Sequence, residues 1–273
     1  MKFLKLSFDY IKKNFLLLLI FAIIPTIFFG FLLRPFNLFE FICDYSKINV
    51  KSFASLFNSL FNFNFWHILL VLLGLIILSI SMAMCFGQIE NHMRSGKKNL
   101  KNSPAFLNNN FLVVFVNFLI IFILWFVLQF LYIAVVCLVH IIFSGLNNLP
   151  NLFCIIFAIL LSAVVFVLFI QVCAIFCLNI PNMIINGYPA KQAFSNSIKL
   201  LNKNNFSFLL SLILPFAVII PLTCLLNAKL IFIANIIGVL ILCVYVPALT
   251  MTGYFELTNT NRYDNRKYYN YNY

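Results

Sequence analysis

The chain has 273 residues, of which 64% are hydrophobic and 9% charged, and its mean hydropathy is +1.05. A soluble domain is about half apolar and about a quarter charged, so this composition excludes a water-soluble globular protein. The net charge of +12 is scattered over loops, and the dense basic patch of a nucleic-acid-binding surface is missing. The abundance of Phe, Ile, Asn and Lys is typical of a bacterial protein encoded by an AT-rich genome.

Six apolar segments follow one another along the chain, each long enough to cross a hydrocarbon core of about 30 Å. They occupy residues 15–33, 66–87, 111–143, 152–180, 206–226 and 230–250. The pattern predicts an all-α, polytopic membrane protein with one six-span domain over residues 1–258, followed by a polar, Tyr-rich cytoplasmic tail over 259–273. The third and fourth segments are too long for the core, so we expect them to tilt, break or project beyond the bilayer.

Three polar segments precede the odd-numbered spans, and each closes with Asn-Phe. The closing residues Phe15, Phe111 and Phe206 are 96 and 95 residues apart. A near-constant period indicates a repeat architecture. We therefore expect three helix-hairpin repeats over residues 2–96, 97–187 and 188–258. Each repeat would begin with a short amphipathic helix at the membrane interface, with an apolar face for acyl chains and cations for headgroups.

The loop 34–64 contains a further amphipathic pattern. Apolar side chains recur at helical spacing over residues 53–61, with Ser and Asn on the other face. Two interpretations stay open: a helix on the far membrane surface, or a helix that caps the bundle without touching lipid.

The cations are distributed unequally between the two sides of the predicted membrane. The N-terminal segment, the 88–110 loop, the 181–205 loop and the tail carry fourteen Lys and Arg residues, and the opposite side carries four. Because cytoplasmic loops are enriched in Lys and Arg, this asymmetry predicts a cell-membrane protein with both termini in the cytoplasm.

Pairs of small residues at a spacing of four lie in the even-numbered spans and favour close helix packing. They are Ser79, Ala83, Gly87, Ala158, Ser162, Ala234 and Gly238. Our hypothesis places spans two, four and six at the centre of the bundle, with the bulkier odd-numbered spans around them.

No span carries a central Asp, Glu, Lys or Arg, the usual residues of proton relays and ion paths. The candidates for polar contacts inside the membrane are the amides Asn117, Gln129, Gln171 and Asn235, which more often bond a neighbouring helix than a ligand. We interpret His92 as a solvated loop residue. Cys173 and Cys177 share a helix face, but the sequence supplies no third ligand for zinc. We predict no catalytic, cofactor or metal site.

The segment Ala193–Pro215 carries a Ser-x-x-Leu helix that closes with Lys-Asn-Asn-Phe before a Pro-containing span. This pattern resembles the broad group of bacterial six-helix membrane proteins that includes the membrane domain attached to some glycerophosphodiester phosphodiesterases. The resemblance implies a role in the envelope membrane. It carries over no activity, because this chain has no soluble phosphodiesterase domain.

Three classes of function follow from these patterns. The first is a non-enzymatic membrane protein that interacts with membrane lipids or partner membrane proteins. The second is a transporter, or a permease subunit with a separate ATPase, for a lipid-like or apolar substrate. The prolines Pro25 and Pro215, at matching positions in two repeats, favour this class, since broken helices in repeats recur in transporters. The third, an intramembrane enzyme, lacks a catalytic constellation in the sequence, and we rank it last.

Overall fold

The computed structural model describes residues 2–32, 65–145, 151–203, 205–225 and 231–264. Within these ranges the chain is all-helical and has no β-strand, as the sequence predicts. The helices are α1 (Lys2–Leu32), α2 (Phe65–Ser95), α3 (Ser103–Gly145), α4 (Asn151–Asn186), α5 (Ala190–Lys203), α6 (Asn205–Leu225) and α7 (Ile231–Leu257), with a 3₁₀ turn at Leu100–Asn102 before α3.

Five of these helices, α1, α2, α3, α4 and α7, are long and apolar enough to cross a bilayer. Each contains an 18-residue stretch with a mean hydropathy between 2.5 and 3.1. The sixth apolar helix, α6, is shorter. The chain is therefore a helical membrane protein with several apolar helices.

The helices α3 and α4 are longer than the spans expected from the sequence. They have 43 and 36 residues, which correspond to about 64 and 54 Å at 1.5 Å per residue. Only 11% of the most apolar stretch of either helix is buried, against 44% for α1 and α7. The α3–α4 hairpin thus presents most of its apolar surface outward.

The three Asn-Phe junctions differ in structure. In α1 the helix is kinked at Asn14, whose φ and ψ are −129° and 20° and whose side-chain amide donates to the carbonyl of Tyr10 at 2.9 Å. In the third unit, α5 is a separate helix before α6. In the second unit, α3 runs from Ser103 through Asn110 and Phe111 without interruption. The expectation of a separate interfacial helix before that span is therefore wrong, because α3 packs against α2 next to this junction, where Phe106 meets Gly87, and continues through its Asn residues.

The buried core is formed mainly by α1, α2, α4 and α7. Helix α1 packs along α7 over the longest interface in the described part of the chain, and it also packs against α2. Near its start, the Phe3 ring meets the Phe208 ring edge to face, with centroids 5.7 Å apart. The first span is thus a core helix, which differs from our hypothesis that only the even-numbered spans lie at the centre.

Three helix ends share one backbone conformation. The residues that follow α2 and α4 are Gly96 and Gly187, with φ values of 68° and 65°, and Asn259 follows α7 closely with φ 51°. Each of their amides donates to a carbonyl of the preceding helix turn, at 2.9 Å, 3.1 Å and 3.3 Å respectively. A left-handed residue is a common helix terminator because it satisfies carbonyls that have no partner within the helix.

The helix expected at residues 53–61, the tight turn expected between the third and fourth spans, apart from its ends, and the tail beyond Asp264 lie outside the described residues.

Candidate functional site

Buried polar side chains gather at one end of the helices, where α1, α3 and α6 begin and α2, α4 and α7 end. We call this region the polar end. The contacts that define it cross between helices: Lys2 pairs with Glu256, Tyr10 contacts His92, and Gln88 contacts Ser103. The helices therefore alternate in direction through the bundle.

One hydrogen-bond network at the polar end joins α4, α5 and α7. The Tyr254 hydroxyl donates to Oδ1 of Asn182 at 3.1 Å and accepts from Nδ2 of Asn186 at 2.7 Å. The amide of Asn182 also donates to the hydroxyl of Ser197 on α5 at 2.9 Å. Since Tyr254, Asn182 and Ser197 are all buried, these bonds fix the relative positions of three helices.

A second network joins α1, α2 and the segment after α7. The hydroxyl of Tyr10 lies 3.1 Å from Nδ1 of His92, and both side chains are buried. The segment after α7 folds back over this pair, because the amide of Tyr263 donates to the carbonyl of Met93 at 2.8 Å. Beside it, Arg262 and Asp264 form a two-point ion pair at 3.1 and 2.8 Å, with side chains only 9% and 6% exposed.

The end of α2 is tied to the end of α4 by Arg94. Its guanidinium donates to the carbonyl of Ile185 at 3.1 Å and lies 3.3 Å from the carboxylate of Glu90 one turn earlier. The Arg94 side chain is half-exposed, so this contact contributes little stability but marks the point where the two helix ends meet.

The four predicted amides do not form one site. Asn117 on α3 is buried, and its Oδ1 accepts from Nδ2 of Asn179 on α4 at 2.7 Å. Asn235 is also buried, on α7, whereas Gln129 is half-buried and Gln171 is exposed on α4. Asn117 therefore takes part in an interhelical hydrogen bond, and its partner Asn179 gave no signal in the sequence because it lies at the predicted end of an apolar run.

The small residues lie where the even-numbered spans meet neighbouring helices. A β-carbon on Gly87 would lie 2.5 Å from Phe106 of α3, and one on Gly238 would lie 3.2 Å from Ile219 of α6. The carbonyl of Ala158 accepts from the Tyr132 hydroxyl of α3 at 3.3 Å. The remaining small residues are Ser79, Ala83 and Ala234, which are buried, and Ser162, which is half-buried.

The interpretation of His92 as a solvated loop residue is wrong. The helix α2 continues to Ser95, so His92 lies within it and is 7% exposed. The signal that the sequence offered was Gly96, a typical helix-ending residue that places the preceding polar stretch on the helix.

A shallow apolar groove of about 390 Å³ lies between α2 and α3. It begins beside the linker that joins the two helices, and that linker carries three exposed lysines, Lys97, Lys98 and Lys101. The groove is lined by Ile80, Pro104, Leu107, Asn108, Phe111 and Leu112.

The chemistry gathered at the polar end is that of amides, phenols, one imidazole and paired charges. Among the residues that the structure describes, no three His, Cys, Asp or Glu side chains form a group able to hold a metal ion. The contacts that define the polar end hold helix ends together. Comparisons with protein families, curated proteins and solved structures found no match to this chain.

Proposed function

We propose that the chain is a bacterial cell-membrane protein with six spans in three helical hairpins, and that it acts without catalysis by holding membrane lipids or partner membrane proteins. Its polar end faces the cytoplasm, together with both termini. The fold kinship that we propose is with the membrane domain attached to some glycerophosphodiester phosphodiesterases, and it extends to the membrane domain alone.

The observation that carries this proposal is the separation of charge and apolar surface. Every Lys and Arg in the described ranges, from Lys2 to Arg262, lies at the polar end. Away from that end, the helices expose large apolar side chains such as Leu16, Phe31 and Leu160. A cationic end suits the cytoplasmic face of a membrane, and an apolar exterior suits lipid or another membrane protein.

The repeat hypothesis is supported by the matching ends of α2 and α4. Gln88 and Asn179 are buried amides, and each lies eight residues before a glycine with positive φ, Gly96 and Gly187 respectively. Gln88 donates to Ser103 at the start of α3, and Asn179 donates to Asn117, also on α3. The two units thus share the position and the burial of this amide, although Gln88 bonds the helix that follows it and Asn179 the helix that precedes it.

The alternative function is transport of a lipid-like or apolar substrate. It is favoured by Pro25 and Pro215, which lie ten and nine residues after Phe15 and Phe206 and are both buried within their helices. A proline removes one backbone hydrogen bond from its helix, and prolines at matching depths would supply hinge points for alternating access.

Reporter fusions test the topology on which the proposal depends. Green fluorescent protein fused after residues 98, 187 and 273 should fluoresce, and alkaline phosphatase fused after residues 45 and 148 should be active. Phosphatase activity after residue 98 or 187 would contradict the proposed orientation.

Purification from the native membrane in mild detergent, followed by mass spectrometry, separates the two functions. A binding protein should retain one class of lipid or one membrane partner. A stoichiometric ATPase would indicate a permease subunit, and flux of the co-purified lipid in liposomes would indicate a transporter.

A further inference from the structure

We infer that the groove between α2 and α3 binds one phospholipid with an anionic headgroup, with an acyl chain in the groove and the phosphate beside Lys97, Lys98 and Lys101. This inference rests on the proposed membrane function and names a ligand for it.

The groove has the shape and chemistry of an acyl-chain site. It follows the first turns of α3 from Pro104 to Leu112, a length of about 12 Å along the helix axis. Five of its six lining side chains are apolar, and the sixth, Asn108, is exposed at its rim. Because Gly87 lets the Phe106 ring approach α2 closely, the two helices stay in fixed register beside the groove.

The linker that precedes Pro104, the first groove residue of α3, carries these three exposed lysines. Its backbone is held to α2 by Gln88, whose amide donates to the carbonyl of Asn99 at 2.8 Å and to the hydroxyl of Ser103 at 3.0 Å. The amide of Lys101 donates to Oδ1 of Asn99 at 3.1 Å, which closes the turn before Pro104. The lysines are therefore presented from an ordered turn.

These three ammonium groups are available to an anionic ligand. Among the described residues, the nearby carboxylates of Glu90, Glu256 and Asp264 are paired with Arg94, Lys2 and Arg262. No carboxylate in the described ranges pairs with any of the three linker lysines. An anionic phosphate complements this charge, whereas a zwitterionic headgroup would bring a further cation to it.

The test is native mass spectrometry of the delipidated full chain, titrated with phosphatidylglycerol and phosphatidylcholine of identical acyl chains. The wild-type protein should bind phosphatidylglycerol more tightly. The K97Q/K98Q/K101Q variant should bind it about tenfold to a hundredfold more weakly, since each cation near an anionic lipid surface contributes roughly fivefold in affinity. Binding of phosphatidylcholine should not change.

The lysine variant and a groove-filling variant each have a matched control at another position. K47Q/K51Q/K229Q removes the same charge from the loops predicted on the opposite side of the membrane and should keep the preference for phosphatidylglycerol. Asn108→Trp should fill the groove and weaken both lipids, whereas Asn109→Trp, at an exposed neighbouring position that does not line the groove, should weaken neither. If both lysine variants lost the same affinity for phosphatidylglycerol, the loss would be a general charge effect, and this result would overturn the proposed site.

A photoactivatable phosphatidylglycerol supplies a second measurement on the unmodified chain. Its acyl-chain label should attach to peptides that contain residue 80 or residues 104–112, and attachment only elsewhere would overturn the site. Extraction at alkaline pH is the check on the underlying proposal. A chain that is released from the membrane contradicts the proposed function, whereas an integral chain without this lipid preference contradicts only the present inference.

Discussion

At the scale of single residues, the polar end depends on side chains that satisfy one another between helices. Asn182 illustrates this, because its amide and carbonyl groups reach α5 and α7 at once. A buried hydrogen-bonding group that loses its partner costs about 1–3 kcal/mol of stability. Single substitutions at this end should therefore change the stability of the protein measurably.

Tyr254→Phe should lower stability by about 1–3 kcal/mol, because it removes the donor to Asn182 and the acceptor for Asn186. The measurement is the midpoint of thermal unfolding in detergent, followed by size-exclusion chromatography. Tyr132→Phe is the control, since it removes one longer bond at a half-buried site and should lower the midpoint less. An unchanged midpoint for Tyr254→Phe would contradict the network.

Gly87→Ala should loosen the packing of α2 against α3. The added carbon would lie 2.5 Å from Cβ and Cγ of Phe106, which are fixed close to the backbone, so the helices must separate. Overpacking of this kind costs about 1–3 kcal/mol. At Gly238 the nearest atom is the Cγ2 methyl of Ile219 at 3.2 Å, which needs to shift by only a few tenths of an ångström, so Gly238→Ala should cost less. Equal unfolding midpoints for the two variants would argue against this close approach.

At the scale of helices, the sequence predicted those boundaries that local chemistry determines. Ser103-Pro104 begins α3, because a hydroxyl and a proline favour a helix start whatever surrounds them. The sequence could not predict which Asn-Phe junction is kinked and which is continuous, because Asn14 and Asn110 carry the same side chain. A kink at the first and a continuous helix at the second reflect the tertiary packing around each, which sequence spacing does not contain.

The docking of α5 on α4 gives a prediction at this scale. Its buried face consists of Ala193, Ser197 and Leu201, one residue per turn. Ser197→Leu should push α5 away from α4 and break the bond to Asn182, so amide hydrogen exchange should accelerate throughout residues 190–203. Ser195→Leu makes the same change on the exposed face and should leave exchange unaltered. Matching exchange in the two variants would show that α5 is not held this way.

At the scale of the whole molecule, the membrane class was predictable, and the arrangement of helices was not. Composition alone requires a bilayer, because 9% charged residues cannot cover this chain in water. Composition does not predict the long interface between α1 and α7, since Phe8 and Phe31 have no sequence feature that selects Tyr245 and Phe232 of the last described helix as their neighbours. Small-residue spacing identified packing surfaces such as Gly87, but not the helices that they meet.

The closure of the bundle by α1 and α7 predicts a specific cross-link. Lys2 and Glu256 form an ion pair, so a carbodiimide should join them through an amide bond in the folded protein. Peptide mass spectrometry should detect the joined peptides in the wild-type protein. Glu256→Gln should abolish this product and leave cross-links elsewhere intact. A folded wild-type sample without the product would contradict the pairing of the two helices.

The pairing of α1 with α7 also has a consequence for biosynthesis. Roughly 200 residues separate the two helices in sequence, which corresponds to about 10 to 40 s of translation. During this interval α1 lies in the membrane without its main partner, while Phe8 and Phe31 await Tyr245 and Phe232 of α7. The core of the protein therefore assembles only after α7 leaves the ribosome, and the nascent chain depends until then on lipid or on the insertion machinery to shield its first helix.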